Sequence, residues 1–201
     1  MDQADVHNQS STEFCSSTLQ TAIPQNKYLS QILQAREERA AIQRMLLKQQ
    51  GTAVITFTMN IPGPEKNAWW ISRCFEDGIN NLYSVLRGMQ IECMRIRTTA
   101  AGPEAFFRIP AGIDPLEVKK CTVLYEQTYP VGRWFDIDVI RQDGRPITRA
   151  EAGFGERQCF LCHEDAKVCG RSRRHTADEL YAYTKKTITA FLERKNPCLT
   201  A

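Results

Sequence analysis

Residues 132–139 read Gly-Arg-Trp-Phe-Asp-Ile-Asp-Val, and this stretch carries the clearest structural pattern in the chain. Apolar and acidic residues alternate along it, which is typical of a β-strand with one buried face. Because alternate side chains of a strand share a face, Asp136 and Asp138 point the same way, about 6.6–6.8 Å apart along the chain. Ile137 and Val139 point the opposite way, into a core. The sequence therefore predicts a strand that presents two carboxylates on one face.

Two like charges on one strand face repel each other unless another group compensates them. A divalent cation does this well, because hard cations such as Mg²⁺ prefer carboxylate oxygens. The segment Val118–Thr128 also alternates and is predicted to be a strand. Antiparallel pairing with the aspartate strand would bring Glu126 close, as a third ligand or as a base. Paired carboxylates around Mg²⁺ are a common device for phosphoryl chemistry.

An Asp-x-Asp pair on a strand is, by itself, more often a solvated polar face than a metal site. The residues before this pair favour the functional interpretation. Gly132 allows close backbone approach, and Arg133 offers a planar fork of donors that suits phosphate. We therefore predict a phosphate-binding magnesium site centred on Asp136 and Asp138.

The remaining pattern predicts an α+β fold with a largely antiparallel sheet packed with helices, because helices and strands are mixed without a regular βαβ repeat. Thr176 and Glu179 form a capping-box signal at the start of the last helix, and Asp143-Gly144 indicates a hairpin-type turn. The predicted helices cover 28–47, 71–89 and 177–193, and the predicted strands cover 52–60, 91–98, 105–109, 118–128 and 134–141.

The chain has 201 residues, 42% of them hydrophobic, and a net charge of +3. We place one catalytic domain at 27–201, after a Ser-, Thr- and Gln-rich stretch, 1–26, that predicts a disordered tail. The modest charge excludes a strongly cationic nucleic-acid binder, and no apolar run reaches the ~18 residues of a membrane span. The tail lacks the apolar block of a signal peptide. We therefore expect a cytoplasmic protein with reduced cysteines and without nucleic-acid or membrane partners.

Four candidate metal ligands follow the aspartate strand: Cys159, Cys162, Cys169 and His175. Their number and spacing suit a small structural zinc site. The same Cys-x2-Cys interval also arises from thiols near a helix start, and from the sequence alone we favour that interpretation over zinc. We expect less than one tightly bound zinc per chain unless the four side chains converge.

A basic patch lies beside the N-terminus of the last helix, where the helix dipole favours anions. The patch consists of Arg171, Arg173, Arg174 and His175. It predicts a phosphate site, and the alternative is a solvated loop. His175 is either a phosphate donor or a zinc ligand, because one nitrogen cannot serve both. Lys66 ends the rigid loop Pro62–Lys66 and is a further candidate phosphate contact, although a stiff surface loop explains it equally well.

The stretch 130–139, Pro-Val-Gly-Arg-Trp-Phe-Asp-Ile-Asp-Val, resembles the P-x-G-R-x-x-D-I-D-V signature of apo-citrate lyase phosphoribosyl-dephospho-CoA transferases. The cysteine pair at 159–162, with Val-Cys-Gly-Arg-Ser-Arg-Arg-His at 168–175, resembles a second motif of that family. The loop 62–66 and the segment 36–39 match in order and spacing. The resemblance covers about residues 28 to 194.

This resemblance implies nucleotidyltransferase-type chemistry and admits a nucleotidyltransferase-like fold. The substrates it implies are 2'-(5''-triphosphoribosyl)-3'-dephospho-CoA and the acyl carrier protein (gamma) subunit of citrate lyase. A serine hydroxyl of the carrier attacks the phosphorus next to the ribose, and pyrophosphate leaves. Because the nucleophile lies on the partner, the transferase needs no catalytic triad of its own.

Residues and resemblance together predict a magnesium-dependent transferase. Asp136 and Asp138 are the expected metal ligands, with Glu126 as a third ligand or base. The expected phosphate contacts are Arg133, Lys66, Arg171, Arg173, Arg174 and His175. The competing hypothesis is a noncatalytic, zinc-stabilised module that binds an acidic protein partner through its arginines.

Overall fold

The structure, a computed structural model, describes residues 25–48 and 53–195 of the chain. Within those ranges it has five α-helices and four β-strands, and a single 3-10 turn, Gly132–Trp134, precedes the last strand. The helices are α1 (Gln25–Leu47), α2 (Trp69–Val85), α3 (Pro115–Thr128), α4 (Ala166–Ser172) and α5 (Ala177–Lys195). The strands are β1 (Ala53–Met59), β2 (Glu92–Thr99), β3 (Gly102–Ile109) and β4 (Phe135–Ile140).

The four strands form one antiparallel sheet in the order β2-β3-β1-β4. The prediction of an α+β fold with an antiparallel sheet is confirmed. β4 is an edge strand, and it pairs with β1 in a register that sets Thr58 opposite Asp136 and Thr56 opposite Asp138. One long side of β4 therefore pairs with β1. On the other side the Val139 carbonyl accepts a hydrogen bond from the Ile147 N–H at 2.8 Å, and the stretch around Ile137 is left for a helix to cover.

The sheet is covered on both faces. One face packs against α2, α3 and α5 in the main core, which includes Ile137 and Val139 of β4 at 0% exposure. The other face packs against α1 in a smaller cluster formed by Ile42, Leu46, Val54 and Phe106. Because alternate strand residues point to opposite faces, Asp136 and Asp138 lie on the α1 face, as predicted.

The strand predicted for 118–128 is wrong, because Pro115–Thr128 form the helix α3. The Asp114 side chain caps this helix by accepting a hydrogen bond from the Leu116 N–H at 2.9 Å. Pro115 follows in the first turn, where its fixed φ favours a helix. The residues that α3 buries recur at helical spacing; they are Val118, Lys119, Thr122, Val123, Tyr125 and Glu126.

The last helix begins as predicted. Thr176 Oγ1 accepts a hydrogen bond from the Glu179 N–H at 3.1 Å, and the Glu179 carboxylate accepts one from the Thr176 N–H at 2.8 Å. The predicted tail, 1–26, lies outside the described residues except for its last two, with which α1 begins. Among the described helices, none combines the length and apolarity needed to cross a membrane.

Gly132 connects α3 to β4 in very little space. A Cβ atom at this position would lie 2.7 Å from the carbonyl oxygen of Glu126 and 2.8 Å from that of Tyr125. Both contacts are with backbone, which cannot move aside as a flexible side chain would. The absence of a side chain therefore lets the end of α3 lie directly against the entry to β4.

We predict that Gly132→Ala lowers the free energy of unfolding by about 1–3 kcal/mol, as overpacking typically does. The measurement is urea denaturation followed by circular dichroism. Gly155→Ala is the matched control, because a Cβ there would meet nothing within 4 Å. Equal stability of the two variants would show that the α3–β4 junction is not tightly packed.

Candidate active site

The backbone of Ile137, the residue between the two aspartates, is held from the edge of the sheet by α3. The backbone N–H of Ile137 donates to Glu126 Oε1 at 2.9 Å, and the Ile137 carbonyl accepts from Lys119 Nζ at 2.7 Å. Lys119 and Glu126 are two helical turns apart, which places them on one face of α3. Both are buried. This pair of hydrogen bonds replaces the neighbouring strand that the edge of β4 lacks.

Two arginines complete the surroundings of Glu126. Arg149 Nη1 lies 2.7 Å from Oε2, and Arg157 Nη2 lies 2.8 Å from Oε1. Arg157 also reaches across to Asp136, with Nη1 3.1 Å from Oδ1. The carboxylate of Glu126, 3% exposed, therefore accepts three hydrogen bonds and is connected to the aspartate pair through Arg157.

Burial and the neighbouring charges shift the pKa values of the acidic and basic groups in this network. Loss of surrounding water raises the pKa of Asp138 above its ordinary value of 3.8, and the neighbouring Asp136 carboxylate raises it further. Burial lowers the pKa of Lys119, against the attraction of Glu126 and Asp138. Burial raises the pKa of Glu126, against the attraction of Arg157. Asp136 has an arginine partner, whereas the charge on Asp138 is opposed by its neighbour.

A cleft of about 550 Å³ opens beside this network and is lined by Arg133, Arg149 and Arg157. Arg133 Nε donates to the Gln158 carbonyl at 2.9 Å, and Nη2 donates to the same oxygen. The guanidinium carbon lies 5.6 Å from the centre of the Phe160 ring. Nη1 of Arg133 is buried and has no hydrogen-bond partner among the described residues. The Arg133 guanidinium therefore has a fixed position in the lining of the cleft, and its Nη1 can still donate a hydrogen bond to a ligand.

A second cleft, also about 550 Å³, adjoins the first and shares Arg133 with it. Arg173 and His175 line this second cleft. Arg171 and Arg174 are exposed and line neither cleft. The structure therefore brings together three of the six predicted phosphate contacts.

Lys66 lies apart from both clefts. It is half-buried, and its ammonium donates to the carbonyl of Ile61, two residues after β1 ends. Burial lowers the pKa of Lys66, and nearby Arg36 lowers it further. The observed contact closes the 62–66 loop on itself.

The four candidate zinc ligands named from the sequence do converge in the structure. The metal-ligating atoms of Cys159, Cys162, Cys169 and His175 all lie within 4.8 Å of one another. Convergence was the condition under which the sequence predicted a zinc site. The group borders the second cleft, to which Cys159, Cys169 and His175 contribute.

Three residues of the network were not predicted from the sequence: Lys119, Arg149 and Arg157. The helix-start signal Asp114-Pro115 would have placed Lys119 and Glu126 on one helical face. Arg149 and Arg157 lie in the irregular segment between β4 and α4. They reach Glu126 across 23 and 31 positions of the chain, and no local pattern encodes such a contact.

Residues 27–191 match the sequence model of the family described as apo-citrate lyase phosphoribosyl-dephospho-CoA transferase. A curated relative from Streptococcus pyogenes serotype M18 (strain MGAS8232), named as a probable enzyme of that kind, is 34% identical over 172 residues, or 84% of this chain and 88% of the relative. The enzyme of that name from Shigella boydii serotype 18 (strain CDC 3083-94 / BS512) is 32% identical over 154 residues, or 76% of this chain and 83% of the relative.

These matches confirm the resemblance seen in the motifs, and they cover the elements that build the site, from α1 to α5. The relatives are named for the transfer of a phosphoribosyl-dephospho-CoA group to apo-citrate lyase. The chain belongs to the apo-citrate lyase phosphoribosyl-dephospho-CoA transferase family.

Proposed function

We propose that this transferase takes 2'-(5''-triphosphoribosyl)-3'-dephospho-CoA and attaches its phosphoribosyl-dephospho-CoA part to a serine of the citrate lyase acyl carrier protein. The serine oxygen forms a bond to the phosphorus next to the ribose. The bond from that phosphorus to the pyrophosphate breaks, pyrophosphate leaves with its electron pair, and the serine proton is released. The observation that carries the proposal is the paired carboxylate on β4, which Arg157 connects to a cleft lined by arginines. The two aspartates themselves lie outside the lining of that cleft.

Asp136 and Asp138 are the proposed ligands of Mg²⁺. Two hard oxygen donors on one face suit that ion, and the unfavourable proximity of the two carboxylates is what a cation would relieve. When bound there, Mg²⁺ would neutralise charge on the phosphoryl oxygens. Thr58, opposite Asp136 on β1, donates from its Oγ1 to the Asp136 carbonyl at 3.3 Å and so ties β4 to β1 at the first aspartate.

The proposed phosphate contacts are Arg133, Arg173 and Arg157. Arg133 keeps one buried donor, Nη1, without a partner among the described residues. Arg173 adds a second guanidinium to the adjoining cleft, and guanidiniums bind phosphate oxygens in a bidentate manner. Arg171 and Arg174 would supply longer-range positive charge near the cleft. A leaving pyrophosphate gains charge during the reaction, so fixed cations stabilise its departure.

Glu126 is proposed to position other groups rather than to bind the metal. Its oxygens already accept hydrogen bonds from Ile137, Arg149 and Arg157. Such a carboxylate fixes the orientation of Arg157 and the position of the β4 backbone at Ile137. Lys66 is likewise assigned to closing its own loop, through Ile61, rather than to phosphate.

We predict that Asp136→Asn and Asp138→Asn each abolish transfer while the fold is retained, because an amide keeps the shape of the side chain and loses the anionic ligand. Loss of metal-assisted charge stabilisation costs several kcal/mol of the barrier. The measurement is mass spectrometry of the carrier, incubated with enzyme, precursor and MgCl2. Asp143→Asn, on the exposed turn after β4, is the matched control and should be fully active. Near-normal turnover in either site variant would remove the proposed role.

The same assay separates catalysis from docking. A noncatalytic module that binds an acidic protein would leave the mass of the carrier unchanged with the parent enzyme. Pyrophosphate would not be released either. Labelled carrier and equimolar pyrophosphate are the results that the transferase proposal requires.

We predict that Asp138→Asn stabilises the metal-free protein at neutral pH. The folded-state pKa of Asp138 is raised, so the charged carboxylate destabilises the fold once the pH exceeds the ordinary value of 3.8. The gain from the amide should therefore be present at pH 7 and be lost as the pH falls below 3.8, where the carboxyl group is protonated in both the folded and the unfolded state. The measurement is urea denaturation in the presence of a chelator. A variant no more stable than Asp143→Asn at pH 7, or a gain that grows toward acid, would contradict the electrostatic account.

A further inference from the structure

Four soft metal ligands meet where the turn at 159–163, the short helix α4 and the residue before Thr176 come together. We propose that Cys159, Cys162, Cys169 and His175 bind one zinc ion, which holds the segment 155–176 in its folded shape. This site is separate from the aspartate pair, and the proposal does not depend on the transfer reaction. It rests on the distances within the group, on the backbone around it and on how little else stabilises the segment.

The sulfur spacing fits a shared tetrahedral ion. Cys162 Sγ and Cys169 Sγ lie 3.8 Å apart. A Zn–S bond of about 2.3 Å at a tetrahedral angle separates two sulfurs by about 3.8 Å. A disulfide would need about 2.05 Å. All four ligand atoms lie within 4.8 Å of one another, so one ion can contact each of them.

The backbone is already arranged around the first cysteine pair. The N–H of Leu161 points at Cys159 Sγ, 3.5 Å away, and the N–H of His163 donates to the Cys159 carbonyl at 3.0 Å. His163 adopts the left-handed conformation, with φ of 62°, which closes the Cys-x2-Cys turn tightly. A backbone N–H directed at sulfur favours the thiolate form that metals bind.

The imidazole of His175 supplies the fourth ligand. Its Nε2 is buried and has no hydrogen-bond partner in the part of the chain that the structure describes. An unsatisfied buried nitrogen is costly, and a metal bond to the imidazole is a direct way to offset that cost. His163, although it directly follows Cys162, is exposed and lies outside the group.

The segment 155–176 has almost no core of its own. Within it, only Cys159 and Cys169 are buried. Its one helix, α4, has seven residues, and helices of that length are marginal in water without other support. A metal cross-link between the turn at 159–163, α4 and the start of α5 supplies the stabilisation that packing does not. Small loop-rich segments commonly depend on a metal in this way.

Zinc is the metal that this donor set selects. Three thiolates and one imidazole form a closed, four-coordinate set, which is typical of structural zinc and leaves no open position for substrate. The complex would carry one net negative charge. Arg133 and Arg173, which line the same cleft as two of the cysteines, compensate that charge.

The site also connects to the proposed phosphate cleft. Arg133 is held by the carbonyl of Gln158, the residue before Cys159. His175 directly precedes Thr176, the capping residue of α5. Zinc would thus fix both the carbonyl that orients Arg133 and the end of the helix beside Arg173. His175 is assigned to the metal, which settles the choice of roles that the sequence left open.

The test is elemental analysis of the purified full-length chain, before and after incubation with ZnCl2 and desalting. We expect about one zinc per chain and no iron, as for other closed Cys3His sites. Cys162→Ser and His175→Asn should lose zinc. Cys121→Ser and His163→Asn are the matched controls, because each removes a thiol or imidazole outside the group, and both should keep it. Asn tolerates the left-handed backbone at 163.

A second measurement on the unmodified protein avoids any variant that fails to fold. Blocking the thiols with an organomercurial should release one zinc per chain, detected with a metal-sensitive dye. It should also make the 155–176 segment the first site of proteolytic cleavage. The proposal is overturned if the reconstituted parent holds no zinc, if it holds iron instead, or if Cys162→Ser and His175→Asn retain a full equivalent.

Discussion

The carboxylate of Glu126 is the constraint on which the candidate site depends. It is buried at the sheet edge, where it accepts hydrogen bonds from the Ile137 backbone and from two arginines. A buried charge is tolerated only when such partners satisfy it, and removing one partner from a buried ion pair is strongly destabilising. The ladder with β1 sets the register of β4, and Glu126 fixes its outer edge at Ile137 and orients Arg157 toward Asp136. Lys119 donates to the carbonyl of the same residue, Ile137.

The chain carries two chemically different donor sets. The hard carboxylates of Asp136 and Asp138 suit Mg²⁺, and the soft Cys3His group suits zinc. The two metals would not compete for one another's ligands, because donor type separates them. Arg133 is held by the carbonyl of Gln158, next to Cys159, and lines the same cleft as Glu126 and Arg157. We infer that Mg²⁺ at the aspartates would serve the reaction and that zinc at the Cys3His group would maintain the shape of the cleft.

What the sequence could predict was local. The alternation at 135–140 and the capping box at Thr176 are encoded by neighbouring residues, and both are present in the structure. The strand predicted for 118–128 failed because Cys121, Val123 and Tyr125 alternate by chance within a helix, while the true signal lay upstream at Asp114-Pro115. Arg149 and Arg157 escaped prediction because their partners are distant in the chain. The convergence of Cys159 with His175 likewise depends on the path of the whole 155–176 segment, which spacing alone does not determine.

The central claim is that α3 organises the aspartate pair through Glu126 and Arg157 acting as one unit. A double-mutant cycle on the transfer rate tests it most directly, with Glu126→Gln and Arg157→Met made singly and together. The account predicts strong coupling, on the order of 0.5–3 kcal/mol, so that the double variant is little slower than the worse single variant. Losses that simply add, within about 0.5 kcal/mol, would contradict it.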